Sequence, residues 1–203
     1  MFHVTEDGPK KCSTTPDKCP ITRDTDGDHY QDFSEAQSVY EKSQNSFSKP
    51  KKIGLPKINL IKKLQVKNHS TYALILESNE INEVLELWRK ELDLDFVKEL
   101  EDNKELRDGK NKYHITVITP QEFRKLRKDK VQVELNDYAF SVTGIGSVSD
   151  GENETWYLTI SSHEIDKLRE KLNLELHGLH STIGFKNKDV HTVFKGQETR
   201  KFI

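Results

Sequence analysis

Two short stretches hold residues with the types and spacing for acid and base chemistry: Tyr113-His114-Ile115-Thr116-Val117 and Leu179-His180-Ser181-Thr182-Ile183. In each, a histidine and a threonine stand two positions apart in an apolar run, so on a strand both side chains point to the same face. An unperturbed imidazole, with a pKa near ~6.5, offers its acid and its base form at neutral pH, and two of them can divide proton transfers without a metal. The threonine hydroxyls add donors to an anionic phosphate, where charge accumulates in the transition state. This arrangement suits cleavage of a phosphodiester: one imidazole activates water or a ribose hydroxyl, and the other protonates the leaving oxygen. One His-x-Thr in a half-buried strand is worth little, since β-propensity alone places such residues there. Two pairs at matching places in a repeated pattern are much less easily accidental.

The elements that must position these pairs begin at Thr71. Thr71 to Glu77 is a short apolar run fit for a buried strand, after which Ser78 or Asn79 is expected to cap a helix with Ile81, Val84, Leu85, Trp88 and Leu92 on one face. A second, acidic helix is expected from Leu94 to Leu106, ending before the turn signal Asp108-Gly109. The first His/Thr strand, Lys112 to Thr119, runs into the capping box Thr119-Pro120-Gln121-Glu122 and a helix to about Lys128. Two strands follow, Tyr138–Val148 and Thr155–Ile160, around the polar turn from Ser149 to Glu154. No helix follows Gly144 and Gly146, so these mark a bend or the close approach of another backbone and not a phosphate loop. Ser161-Ser162-His163-Glu164 caps a helix burying Ile165, Leu168 and Leu172, and after Gly178 the second His/Thr strand runs from Leu179 to Phe185. A helix precedes each His/Thr strand. That weak repetition predicts two similar lobes with the two strands lining the cleft between them.

Upstream the composition changes. A charged fraction of 33% against a hydrophobic fraction of 33%, with the apolar residues concentrated after Thr71, implies that part of the chain lies outside the packed core. Residues 1–48 are polar and turn-rich and read as a small Cys/His-containing module. Residues 49–70 read as a lysine-rich linker, because Lys49, Lys51, Lys52, Lys57, Lys62, Lys63 and Lys67 crowd there with Pro50 and Pro56 and no acidic residue. Contact of these lysines with a polyanion is the sharper alternative, through counterion release. The catalytic domain is then 71–203. A net charge of −2 offers no global argument for nucleic acid or membrane. No apolar run approaches a bilayer span, and Met1-Phe2-His3-Val4-Thr5-Glu6-Asp7 lacks the pattern of a signal peptide, so a cytoplasmic protein without a membrane partner is expected.

Two metals compete for the N-terminal module. His3, Cys12, Cys19 and His29 have the ligand types of a structural zinc site but irregular spacing. Asp24, Asp26, Asp28, Asp32 and Glu35 place oxygens as a calcium loop would, except that His29 occupies its glycine position. A solvated acidic turn beside two ordinary cysteines explains the same residues.

The segments His114-Ile115-Thr116-Val117 and His180-Ser181-Thr182-Ile183 resemble the paired His-x-Thr/Ser-x motifs of the two-histidine (2H) phosphoesterase superfamily. Gly184-Phe185 followed by Asp189-Val190-His191 looks like its RNA-repair-associated, 2′-5′ RNA ligase-like branch. The resemblance spans roughly Thr71 to the C-terminus. It implies an α/β (α+β) bilobal fold, with two antiparallel sheets facing across a central cleft and helices outside. It also implies metal-independent hydrolysis or transfer at a 2′,3′-cyclic or 2′-5′-type phosphodiester of a nucleotide or RNA terminus, with no cofactor for catalysis. His114 and His180 would be catalytic, and Thr116 and Thr182 would bind phosphate. Ser181 departs from the usual apolar residue, on the face away from the cleft. The N-terminal segment with Cys12, Cys19 and His29 looks like a leader module found on assorted bacterial and phage proteins.

Tyr113, Lys186 and His191 are further candidates for substrate contact, with Lys188 and Lys195 as weaker ones, while Phe185 suits core packing better than base stacking. His69, His163 and His177 have no partner visible in sequence and read as structural or surface residues. The rival of a different class is a catalytically silent nucleotide- or RNA-binding module that grips phosphate with the same groups.

Overall fold

The computed structural model describes residues 49–203, apart from His69, and the backbone of two short strands near the N-terminus. The chain divides into two compact units, Met1–Lys49 and Pro50–Ile203. In the first, β1 (Phe2–Thr5) and β2 (Gly8–Lys11) pair antiparallel. His3 falls in β1. Cys12, Cys19, His29 and the acidic segment from Asp24 to Glu35 lie outside the described residues.

The second unit is α+β. Its seven strands are β3 (Asn59–Lys67), β4 (Thr71–Glu77), β5 (Lys112–Ile118), β6 (Asp137–Ser149), β7 (Glu154–Ser161), β8 (His180–Lys186) and β9 (Arg200–Phe202). Its four α-helices are α1 (Ser78–Glu91), α2 (Leu94–Asp108), α3 (Pro120–Lys128) and α4 (His163–Lys171). The strands form one antiparallel sheet in the order β5-β4-β3-β6-β7-β8, with β9 on the free half of the long strand β6. The two lobes are therefore halves of a continuous curled sheet, and its two edges, β5 and β8, approach until Cα atoms lie within 8 Å. These edges are the two His/Thr strands.

The joint between the halves is β3, and it corrects the expected linker. Residues 59–63 pair with β6, while residues 64–67 pair with β4. Leu60, Lys62 and Leu64 turn inward, Leu64 completely, whereas Ile61, Lys63 and Gln65 face solvent. The period of two was present in the sequence but masked by Lys62, whose stem covers the core while its ammonium meets Glu80 at 2.5 Å. Ahead of β3, Lys51 and Ile53 bond the backbone of Lys201 and Ile203, so this stretch is tied to the C-terminal strand.

Helix positions follow the apolar periodicity. Ile81, Val84, Leu85 and Trp88 of α1 are buried, although the cap is Glu77 and not Ser78 or Asn79. Asp93 caps α2 by accepting from the Asp95 and Phe96 amides, and Gly109, at φ 87°, ends it. This helix packs on β8 as well as β5, with Leu100 against Gly184: a Cβ on Gly184 would lie 2.7 Å from that of Leu100. A helix that precedes the first His/Thr strand in sequence thus covers the second. Gly144 is approached by the Phe202 backbone, as expected, together with the Arg200 side chain, whereas at Gly146 the close neighbour is the Tyr157 ring and not a backbone. Among the described residues no helix is long and apolar enough to cross a membrane.

Candidate active site

Alternation along β5 sends Tyr113, Ile115 and Val117 into the core and leaves His114 and Thr116 on the opposite, partly exposed face. On β8, Ser181 and Ile183 are fully buried while His180 and Thr182 stay partly exposed. All four line one cleft of about 390 Å³. Lys67, from the end of β3, and Arg107 and Asp108, from the last turn of α2, line it too.

The two imidazoles have different neighbours. Lys67 Nζ lies 2.9 Å from His114 Nδ1 and 3.0 Å from Nε2, so the ammonium sits against both ring nitrogens at once. Burial, reinforced by the Lys67 charge, pushes the His114 pKa down to about 4. His180 instead donates from Nδ1 to the Gly178 carbonyl at 2.8 Å, which leaves Nε2 without a proton in the neutral ring. Burial also brings this residue to about 4, against a smaller upward pull from that carbonyl.

The segment ahead of β8 is held by Arg169, which is 1% exposed. From α4 it donates to the Val117 carbonyl (2.6 Å), the Glu175 carbonyl (2.9 Å) and the Glu122 carboxylate (2.7 Å). Glu122 also closes the capping box of α3 by accepting from the Thr119 amide at 2.8 Å. One guanidinium therefore fixes the end of β5, the start of α3 and the approach to Gly178. On the other side Gly178 abuts the Lys195 carbonyl, which an added Cβ would meet at 2.0 Å.

Beyond β8 the chain turns at Asn187, φ 54°, and delivers Asp189 beside Thr182. Asp189 is buried and accepts from Lys195 Nζ (2.7 Å), Thr155 Oγ1 (3.0 Å), Thr182 Oγ1 (3.4 Å) and Arg107 Nη1. Lys195 and Arg107 together hold its carboxyl down at about 2 despite burial. Arg107 also grips Asp108 through Nε (2.9 Å) and Nη2 (2.7 Å), so its fork bridges α2 and the chain after β8.

Other expected contacts are placed differently. Tyr113 is only 7% exposed, in the core under the Lys104 ammonium, because odd positions of β5 face the helices; a nucleobase cannot stack there. Lys186 is exposed at the end of β8 opposite Glu154 and is not among the residues lining the cleft. His191 stands at the cleft mouth, its side chain 73% exposed and 3.9 Å from Asp189. Lys195 is buried against Asp189, and Phe185 packs under Arg107. His177, read as structural or surface, lines the cleft: its Nε2 donates to the Thr116 carbonyl at 3.3 Å and its buried Nδ1 has no partner.

Sequence reasoning missed Lys67, Arg107, Asp108 and His177 at the cleft. Lys67 ends an alternating strand that read as linker, and Arg107 sits in the last turn before a helix stop, so only His177, three residues from His180, carried a visible signal.

No curated protein and no solved structure matches the chain. Residues 94–191 match the family model described as Swiss Army Knife, 2H phosphoesterase domain. That match runs from the first residue of α2 to His191 and takes in both His/Thr strands, Arg107 and Asp189. Together with the curled antiparallel sheet and its paired edges, this match identifies a 2H phosphoesterase domain over residues 94–191, and the function it supports is of the phosphoesterase type.

Proposed function

We propose that the chain hydrolyses, or transfers at, a 2′,3′-cyclic or 2′-5′-type phosphodiester of a nucleotide or RNA terminus, in the cytoplasm and without a catalytic metal. The observation that carries this is that His114, Thr116, His180 and Thr182 share one cleft with the cations Lys67 and Arg107. Cleavage of a diester takes a proton from the attacking oxygen and gives one to the leaving oxygen, one task for each imidazole, and the cations suit its anionic phosphoryl group.

The roles proposed for the two rings follow from their unlike surroundings. His180, with Nδ1 committed to a carbonyl, presents a bare Nε2 and is the general base, removing a proton from water or a ribose hydroxyl. His114, charged once phosphate is bound, gives its proton to the departing oxygen. The new P–O bond forms as the leaving P–O bond breaks, and the proton gained by His180 returns through solvent to His114. Thr116 donates to a phosphoryl oxygen, and Thr182 does so when its hydroxyl turns from the long 3.4 Å contact with Asp189. If the substrate is RNA, the exposed Lys52, Lys57 and Lys63 extend the contact along its backbone.

The test is turnover of 2′,3′-cyclic nucleotides and 2′-5′-linked oligonucleotides in the presence of chelator, by the native chain and by His114→Ala and His180→Ala. Each substitution is expected to lower kcat by roughly two to four orders of magnitude with folding intact. Binding without turnover across both substrate classes would favour a silent binding module, and either variant retaining native activity would end the proposal.

A further inference from the structure

Lys67 has no place in the His/Thr motifs, yet its ammonium makes the closest polar contact to His114, within 3.0 Å of both ring nitrogens. It is held there by the β3–β4 hairpin, in which Lys67 pairs with Thr71, Asn68 takes φ 51° and the Ser70 amide donates to the Lys67 carbonyl at 3.2 Å. The side chain borders the catalytic cleft and a neighbouring hollow of about 250 Å³, so it has room to move while staying beside the phosphate position.

An ammonium on a catalytic imidazole conflicts with the role of acid. While Lys67 donates to His114, a proton on that ring would face a like charge at hydrogen-bond distance. The remaining charged and titratable groups around the ring do not remove the conflict. From α2 come Lys104, Arg107 and Asp108, but Asp108 is already engaged by Arg107. Across the cleft stand His177, His180, Asp189 and His191, and Asp189 is tied to Lys195 and Arg107. An entering phosphate is the natural competitor for the Lys67 donor, since an anionic oxygen is a stronger acceptor than a neutral imidazole.

We propose that Lys67 couples phosphate binding to the charging of His114: its ammonium keeps the ring neutral in the empty cleft, and a bound phosphate oxygen draws it away so that His114 can take up a proton from solvent. The proton acquired in this way is the one His114 later gives to the leaving oxygen, so the acid is armed only when substrate is present. The inference rests on the assignment of His114 as the acid. The coupling itself can be measured with inorganic phosphate, independently of turnover.

The experiment follows the His114 ring by NMR through a pH titration, its signal assigned by loss in His114→Gln, in the native chain and in Lys67→Met, each with and without inorganic phosphate. In the native chain His114 is expected to titrate well below the ordinary histidine range and to move upward by roughly one pH unit or more when phosphate binds. In Lys67→Met it should titrate higher from the start, with a phosphate response at least halved. Identical titrations in the two chains, or an equal phosphate response, would overturn the coupling. Should Lys67→Met fail to fold, Lys67→Arg keeps a cation that cannot lose its proton. It must then preserve the depressed titration and the phosphate response, and a native-like fold with an ordinary His114 titration would also overturn the proposal. If the coupling holds but no phosphodiester is turned over, the substrate assignment fails and the phosphate-linked switch stands.

Discussion

The two His/Thr strands carry the same motif in unlike settings. On β5, His114 meets the ammonium of a lysine from another strand, and no side-chain hydrogen bond engages the Thr116 hydroxyl among the described residues. On β8, His180 is held by a backbone carbonyl two residues upstream, and Thr182 donates to a carboxylate that also binds Arg107 and Lys195. One half is set by a side chain that can move, the other by backbone and a buried ion network. A base benefits from a fixed orientation and a fixed tautomer, whereas an acid that must charge on demand benefits from a neighbour that can leave.

The largest effect expected from breaking this asymmetry is at Asp189. Replacing it with Ala leaves the buried Lys195 ammonium without its carboxylate and frees Arg107 from the chain after β8, which should cost about 3–5 kcal/mol of stability in urea unfolding. Lys67→Met, on the β5 side, should cost under about 1 kcal/mol, because it removes a partly exposed cation from a neutral ring. Equal losses would contradict a rigid β8 half and an adjustable β5 half.

Next is Gly178→Ala. A Cβ cannot coexist with the Lys195 carbonyl 2.0 Å away, so the segment that offers its own carbonyl to His180 must shift. A fall in kcat of about tenfold to a hundredfold is expected, with KM little changed, because the base is misplaced while the phosphate donors remain. A larger change in KM than in kcat would place Gly178 in binding instead.

The threonines should separate more finely. Thr116→Val is expected to reduce kcat/KM by about tenfold with unchanged stability, as for a single lost phosphate donor. Thr182→Val should show a similar kinetic loss together with about 0.5–1.5 kcal/mol of stability, since Asp189 loses a donor. Matching stability changes would remove this part of the contrast.

A different kind of readout is pH-dependent stability. Both histidines are depressed to about 4 in the folded chain, so between about 6.5 and 4 the unfolded chain binds more protons, and stability should fall as pH is lowered through that window. Asp189, held near 2, stays ionised there; its contribution is present above the ordinary carboxylate range and is lost only as pH falls toward 2. Thermal midpoints that stay flat from pH 6.5 to 4 would contradict burial of neutral rings.

Much of this was legible in the chain because local patterns agreed with the global fold. The capping box at Thr119, the cap at Ser162 and the alternation about His114 and His180 each specify an element and a face. What was not legible depends on long-range pairing. Lys62 hid the inward face of β3 and with it the strand that joins the two halves, and the seat of α2 on β8 is set by a close approach at Gly184 that spacing alone does not reveal. Lys67 and Arg107 reach the cleft through those contacts, and His177 through the segment ahead of β8 that Arg169 holds at Glu175. Sequence gave them no motif, only helix-end, strand-end and near-neighbour positions.

The central claim, two imidazoles dividing the proton transfers with His180 as base and His114 as acid, is tested most directly by leaving-group rescue. His114→Ala and His180→Ala would each be assayed on a nucleotide phosphodiester with a ribose leaving oxygen and on the corresponding nitrophenyl ester, whose leaving group needs no proton. The account predicts that His114→Ala recovers most of its lost rate on the nitrophenyl ester while His180→Ala remains impaired; rescue of both, of neither, or of His180→Ala alone would contradict it.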